Sequence, residues 1–256
     1  MIKPKQILKA VLPRQLIDLY RLYKLAKEQR QNANRSTEAV FTDIYAKNKW
    51  GGEKGTFCSG AGTSDDRITG PYVRTVQQWL KEIGAESKSL VDLGCGDFQV
   101  GSQYANLGAS YTGVDIVKNL VEHNNKTFGT DRIQFKHVNI IEDPLPDGDI
   151  CFVRQVLQHL SNDQISLILP KLAKYQWVIV TENQPSDKDL RSPNIDKPHG
   201  GDIRLHSGSG VYLDQPPFLV PKERMRLLLE VSCHGSGLGI DPGVMQTYLI
   251  DNRTVQ

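Results

Sequence analysis

The chain has 256 residues and a mass of 28.7 kDa, with 39% hydrophobic and 23% charged residues, enough to bury a full core and too ordinary a mixture for a fibrous or disordered protein. No apolar run reaches the roughly 20 residues that span a bilayer, and the four cysteines, Cys58, Cys95, Cys151 and Cys233, contain no C-x-x-C pair, as expected of a reducing, cytoplasmic location. The net charge of +2 hides an asymmetry: residues 1–35 hold nine Lys or Arg against Asp18 and Glu28, so the remainder is net negative.

In that first segment Leu8, Leu12, Leu16, Leu19, Tyr20 and Tyr23 recur at helical spacing with the cations around them, which predicts an amphipathic helix. Such a helix suits peripheral attachment to an anionic membrane surface through residues 1–30, and equally packing on its own domain or on a second subunit. Charges at Arg14, Asp18 and Arg21 interrupt any secretory apolar region. The polar "RQNANRST" reads as a linker and "TEAVFTDIYAKNKW" as a second short helix. A glycine-rich stretch, "WGGEKGTFCSGAGTSDD" (50–66), follows. A helix is then expected over 71–83, with Pro71 in its first turn and Val73, Val76 and Leu80 on one face.

From there β-rich runs alternate with helical intervals. "SLVDLGCG", "YTGVDIV", "IQFKHVNI", "DICFVRQVL" and "QWVIVTEN" read as strands, and residues 98–107, 117–128 and 161–174 as helices. This repetition predicts an α/β fold with a parallel sheet covered on both faces. The last two runs, "ERMRLLLEVSC" and "VMQTYLIDN", are joined by too short a gap for a crossover helix and predict a terminal antiparallel pair. Two units are expected: residues 1–35 as basic helix and linker, then 36–256, within which 36–83 form N-terminal helices and a lid and 184–221 an insertion.

The chemistry is carried by "LVDLGCGDFQVG", where a strand delivers Asp92 and then Gly94 and Gly96 at a sharp turn, letting a ligand approach without a Cβ in the way. Asp115, 23 residues after Asp92 at the end of the next strand, is placed to accept both hydroxyls of a ribose. An NAD site would need a third glycine and a pyrophosphate at the helix start. Here Asp97 and Phe98 follow Gly96, and an acidic side chain there would repel a pyrophosphate and attract an ammonium.

With these residues the sequence resembles the class I S-adenosylmethionine-dependent methyltransferases, whose first motif, acidic-x-Gly-x-Gly, is matched by Asp92, Gly94 and Gly96. The resemblance runs from about residue 90 to 182 and more loosely to the end. It implies a Rossmann-like, seven-stranded, mostly parallel sheet with an antiparallel last strand, helices on both faces and an N-terminal helical extension. It also implies S-adenosylmethionine as cofactor, held by Asp92, Gly94, Cys95, Gly96, Asp97, Asp115 and Ile116, by Asn139 and Ile140 after strand three, and by Gln155 after strand four. Because the chain before strand one lies over the cofactor cleft in this fold, 50–66 reads as part of a lid, with Trp50 as apolar anchor and Ser59, Gly60 and Gly62 near the methionine end or the acceptor. It is not a P-loop, for it precedes the strand and Thr63-Ser64 is followed by Asp65-Asp66.

Methyl transfer from a sulfonium needs positioning and, for a hydroxyl acceptor, a base. His159 after strand four is the expected base, with Glu182 after strand five and Arg204 in the insertion as partners, Arg204 toward an acidic or phosphorylated acceptor. Glu182-Asn183 imitates half of the magnesium site of some O-methyltransferases of this fold, but Arg154-Gln155 stands where the other half would be. His199, Asp202 and His206 form a second candidate ligand set. No metal is expected. "IYAKNKWGG…SGAGTS" and "GGDIR…LDQPPF" resemble bacterial methyltransferases encoded beside glycan-assembly enzymes, so O-methylation of a sugar, glycan or other small polar acceptor is expected. "QPPF" sits in the wrong place for the amine-holding motif of nucleic-acid methyltransferases, and no nucleic-acid partner is expected. The alternatives are N- or carboxyl-methylation of a small metabolite, below it methylation of a nucleic acid, and a non-catalytic module that keeps the fold.

Overall fold

The computed structural model describes residues 23, 26–27, 29–32, 34–53, 55–233 and 243–253. The cationic helix expected over 1–30, with its membrane contact, falls almost wholly outside the described residues. Among those described, no helix is long and apolar enough to cross a membrane.

Five strands, β1 (Ser89–Leu93), β2 (Ser110–Asp115), β3 (Ile133–His137), β4 (Ile150–Arg154) and β5 (Trp177–Gln184), run parallel. β7 (Val244–Asp251) joins β5 antiparallel and pairs with the edge strand β6 (Met225–Ser232), giving the order β3-β2-β1-β4-β5-β7-β6. This is the expected Rossmann-like sheet with its antiparallel end. The strands that pair on both sides are apolar because helices and loops cover both faces: all residues of β5 and all but Arg154 of β4 are buried.

Side-chain alternation sorts the core into two layers. Leu90, Ile150, Phe152, Trp177 and Ile179 meet Tyr72, Val73, Val76 and Leu80 of α2 (Asp66–Glu82). Val91, Leu93, Cys151, Val153, Val178 and Val180 face the opposite layer, with Val40, Phe41 and Ile44 of α1 (Thr37–Ala46) and Ile165 and Ile168 of α4 (Asn162–Ile168). α3 (Lys118–Phe128) crosses from β2 to β3. The two-residue period has a functional consequence: Asp92 and Arg154, in register with Leu90 and Phe152, point toward the α2 layer.

Three expectations need correction. The helix placed at 71–83 begins at Asp66, because Asp65 caps it by accepting the Arg67 N–H, so Pro71 lies inside the helix instead of in its first turn. Residues 98–107 form two 3-10 turns, Gly101–Gln103 and Ala105–Leu107, instead of a helix. Phe98 holds a positive φ of 63°, and a Cβ on Gly101 would come within 2.5 Å of the Tyr111 hydroxyl, so this segment is shaped by tight packing that a regular helix would not satisfy. The helix over 161–174 is α-helical only to Ile168 and continues as a 3-10 stretch over Leu169–Lys174, since Pro170 lacks the N–H for the next α bond and its ring crowds the preceding turn.

The insertion before β6 is irregular but internally tied. Asn194, 5% exposed, accepts the Tyr212 N–H and donates to Tyr212 O and Pro216 O. The fully buried Arg204 donates to Ile195 O and Leu160 O.

Candidate active site

The carboxyl ends of β3, β2, β1 and β4 open on a cavity of about 490 Å³, the position at which parallel α/β sheets bind ligands. Asn139, Asp115, the Gly94–Asp97 turn and Gln155 line it in that order along the sheet. The turn is built by β1 and pinned to β2, as Gly94 and Cys95 both donate to Val114 O. Gly94 and Gly96 hold φ of +73° and +56°, and a Cβ would lie 2.5 Å from Val156 Cγ2 at the first and 2.4 Å from Ser59 Oγ at the second. Glycine is therefore required by both backbone and space.

Asp115 accepts the Gly96 N–H at 3.2 Å and the Val117 N–H at 3.0 Å, so one carboxylate shapes the turn and faces the cavity. Burial pushes it up to about 6 against these donors. Asp92, also raised by burial to about 6, accepts from Tyr111 Oη at 2.6 Å and Tyr104 Oη at 3.4 Å. Asp97, raised by burial, is tied to the glycine-rich segment 50–66. It accepts the Ser59 N–H at 2.9 Å while its own N–H donates to Ser59 Oγ at 2.9 Å, and Tyr45 Oη sits 3.0 Å from the same oxygen. Asn139 uses its side-chain oxygen to accept the Ile141 N–H. Cys95, Ile116 and Ile140 line the wall, and Gln155, at φ +56°, lies against Gly62, where a Cβ would collide with its amide.

The residues expected in a lid, Trp50, Ser59, Gly60 and Gly62, are all at the cavity. Trp50 donates from Nε1 to Gly201 O at 3.2 Å and packs against His159 with 5.1 Å between ring centroids and a tilt of 41°. His159 Nδ1 is 3.2 Å from both Gly200 O and Asp202 O. Two carbonyls can only accept, so Nδ1 carries the proton and Nε2 keeps its lone pair. Burial, reinforced by Lys197, lowers this histidine to about 3, so it is neutral throughout the physiological range.

Glu182 and Arg204 are placed elsewhere. Neither lines the cavity. Glu182, 3% exposed, accepts the N–H groups of Val156, Leu157 and Gln158 at 3.1, 2.8 and 3.2 Å and so anchors the loop that carries His159. Arg204 braces the insertion from within. His199 bonds Arg35 O and the Gln164 amide, apart from any ligand set, and among the described residues no group of three or more His, Cys, Asp or Glu is arranged to hold a metal. Sequence reasoning missed Tyr45, Tyr104 and Tyr111, whose hydroxyls surround the acidic residues. No local pattern marks them, because each reaches its partner across the fold.

The cavity suits S-adenosylmethionine on its own chemistry. Asp115 offers acceptors to a ribose diol, Gly94 and Gly96 bring the turn to the cavity wall, and Asp92 and Asp97 supply negative charge for an ammonium. The buried acids also give a test in the ligand-free protein. An Asp raised from 3.8 to about 6 is protonated in the fold below that pH, so its favourable contribution is lost as pH rises from about 4 to 6. Asp92→Asn is expected to gain stability relative to wild type over that window, by up to about 3 kcal/mol at neutral pH. Urea melts at pH 4 and pH 7.5 check this, and a pH-independent difference would overturn it.

Residues 91–171 match the model of a family described as a methyltransferase domain. No curated protein matches the chain. Among solved structures, magnesium protoporphyrin IX methyltransferase (ChlM) from Synechocystis PCC 6803 with bound SAH is similar over 84% of this chain and 99% of its own, with a TM-score of 0.51 and 16% identity. Human N-acetylserotonin methyltransferase (ASMT) in complex with SAM is similar over 91% of this chain and 66% of its own, with a TM-score of 0.51 and 16% identity. These likenesses show the fold. The family match assigns methyl transfer, with S-adenosylmethionine as cofactor.

Proposed function

We propose that this class I S-adenosylmethionine-dependent methyltransferase methylates a hydroxyl oxygen of a small polar acceptor, a sugar or glycan, with His159 as proton acceptor. The observation that carries this reading is the imidazole of His159 at the cavity wall, its Nδ1–H fixed by two carbonyls so that Nε2 carries the lone pair.

When bound, the cofactor supplies a methyl group already activated on a sulfonium. The protein's task is then to seat the acceptor, exclude water and take a proton. Trp50 and Phe41 line the cavity beside His159, apolar surface suited to the C–H groups of a sugar, while Thr37, Lys49 and Asp202 add polar groups to the lining. A hydroxyl that gains a methyl group becomes a far stronger acid than an imidazolium. A weakly basic nitrogen therefore suffices as its acceptor, and Nε2 takes the proton while Nδ1–H stays on its carbonyls.

His159→Gln is expected to lower kcat about 100-fold or more with cofactor affinity unchanged, and the wild-type rate at saturating cofactor should show no acid limb from His159 above about pH 4, since a base lowered to about 3 protonates only below that. Product-mass screening against nucleotide sugars and lipid-linked glycans identifies the acceptor. An unchanged kcat in His159→Gln would instead favour an amine or carboxylate acceptor, which needs no such base.

A further inference from the structure

Arg154 closes β4 on the α2 face of the sheet, the side toward which Asp92 points from the neighbouring strand. It lines the cavity at the β1–β4 end, away from Asn139 on the β3 side. Its guanidinium lies 5.0 Å from the Tyr72 ring centroid, and Nη2 donates to Gly62 O of the lid segment at 2.7 Å. Nε is buried with no hydrogen-bond partner, and among the described residues no carboxylate oxygen lies within 4.0 Å of the guanidinium. A buried guanidinium N–H without an acceptor is costly unless something else supplies one.

The strand order says what that acceptor is. A cofactor with its ribose at Asp115 of β2 and its adenine toward β3 would place its amino-acid end at β1 and β4. That end is a zwitterion. Asp92 and Asp97 match its ammonium, and its carboxylate needs a cation with a fork of N–H donors. We infer that Arg154 binds the α-carboxylate of the cofactor and, through the Gly62 carbonyl, ties that end of the ligand to the lid. This rests on the cofactor being S-adenosylmethionine. Arg154 is a binding and positioning residue; it takes no part in proton transfer.

The test is calorimetry on the full chain with three probes: S-adenosylhomocysteine, its decarboxylated aminopropyl analogue, and 5′-methylthioadenosine, which lacks the amino-acid end. Wild type is expected to bind S-adenosylhomocysteine about 30-fold more tightly than the decarboxylated analogue, the loss typical of a charge-assisted hydrogen bond. Arg154→Gln should lose that factor for S-adenosylhomocysteine, cease to distinguish the two, and bind methylthioadenosine as wild type does. Arg154→Lys, which keeps the charge without the fork, should fall between. Equal wild-type affinity for the carboxylated and decarboxylated probes would overturn the inference. So would parallel losses for all three probes in Arg154→Gln, which would make the residue a brace for Tyr72 and the lid. If Arg154→Gln does not fold, the wild-type comparison and Arg154→Lys decide. Failure of every probe to bind wild type would instead overturn the cofactor assignment itself.

Discussion

Replacing Asp115 with alanine is expected to weaken S-adenosylmethionine binding by at least about 100-fold, because hydrogen bonds to a charged acceptor are worth about 1.5–3 kcal/mol each and this carboxylate has two tasks. It accepts the Gly96 and Val117 N–H groups, which shape the turn, and it offers oxygen to the ribose. Asp115→Asn keeps one acceptor oxygen and should lose less. The same side chain predicts a pH dependence. Burial raises it to about 6, and ribose hydroxyls, as donors, favour its ionised form. Affinity should therefore fall as pH drops below about 6, by close to tenfold per unit once the acid is protonated, and binding near pH 6 should release a proton. Calorimetry in buffers of different ionisation enthalpy measures both. Affinity of Asp115→Ala near that of wild type, or no proton release at pH 6, would sink the assignment.

The second large effect is on stability and reaches activity only through position. Glu182→Ala leaves three N–H groups of the 156–158 loop without their acceptor, each costing about 1–3 kcal/mol if it stays buried. A loss of about 3–5 kcal/mol is expected, a drop in Tm of about 10 °C for a chain of this size. Because the anchored loop carries His159, catalysis should fall in protein that is still folded, while Glu182→Gln, keeping one acceptor, should recover part of both. Burial pushes Glu182 up to about 8 against its three donors, and an acid raised in the fold is best accommodated at low pH. The cost of Glu182→Ala should therefore be largest near pH 5. Chemical denaturation measures it, and a change below about 1 kcal/mol would show that the loop holds without this anchor.

The difference between Glu182 and Asp115 marks how far the sequence could be read. Both are acids that close parallel strands. Asp115 follows a strand next to the glycine turn at a recognisable distance, so its place and partner chemistry are local facts. Glu182 looked equally exposed to the cavity, but β5 turns it to the face opposite Asn183, under the loop after β4. One step in the two-residue period separates an acid that faces the ligand from one that faces backbone. Arg204 failed as a site residue for a related reason. Its cation is enclosed by the insertion, whose course no periodicity describes, and its donors go to carbonyls brought in from residues 160 and 195. The helix start at Asp66 was missed because Asp65 competes with Pro71 as a signal, and the cap prevailed.

By itself, then, the chain's order of apolar runs, its glycine turn and the spacing of Asp92 and Asp115 determined the sheet, its antiparallel end and the cofactor cleft. These depend on alternation, on positive φ and on neighbours in sequence. Only the tertiary structure decided that Ser59 clasps Asp97, that Trp50 packs against His159, that His159 is held in one tautomer, and that Arg154 reaches Gly62 with an N–H unmatched. Each of these joins segments dozens of residues apart. Their meeting depends on the strand order and on which face each side chain takes, and no local pattern encodes both.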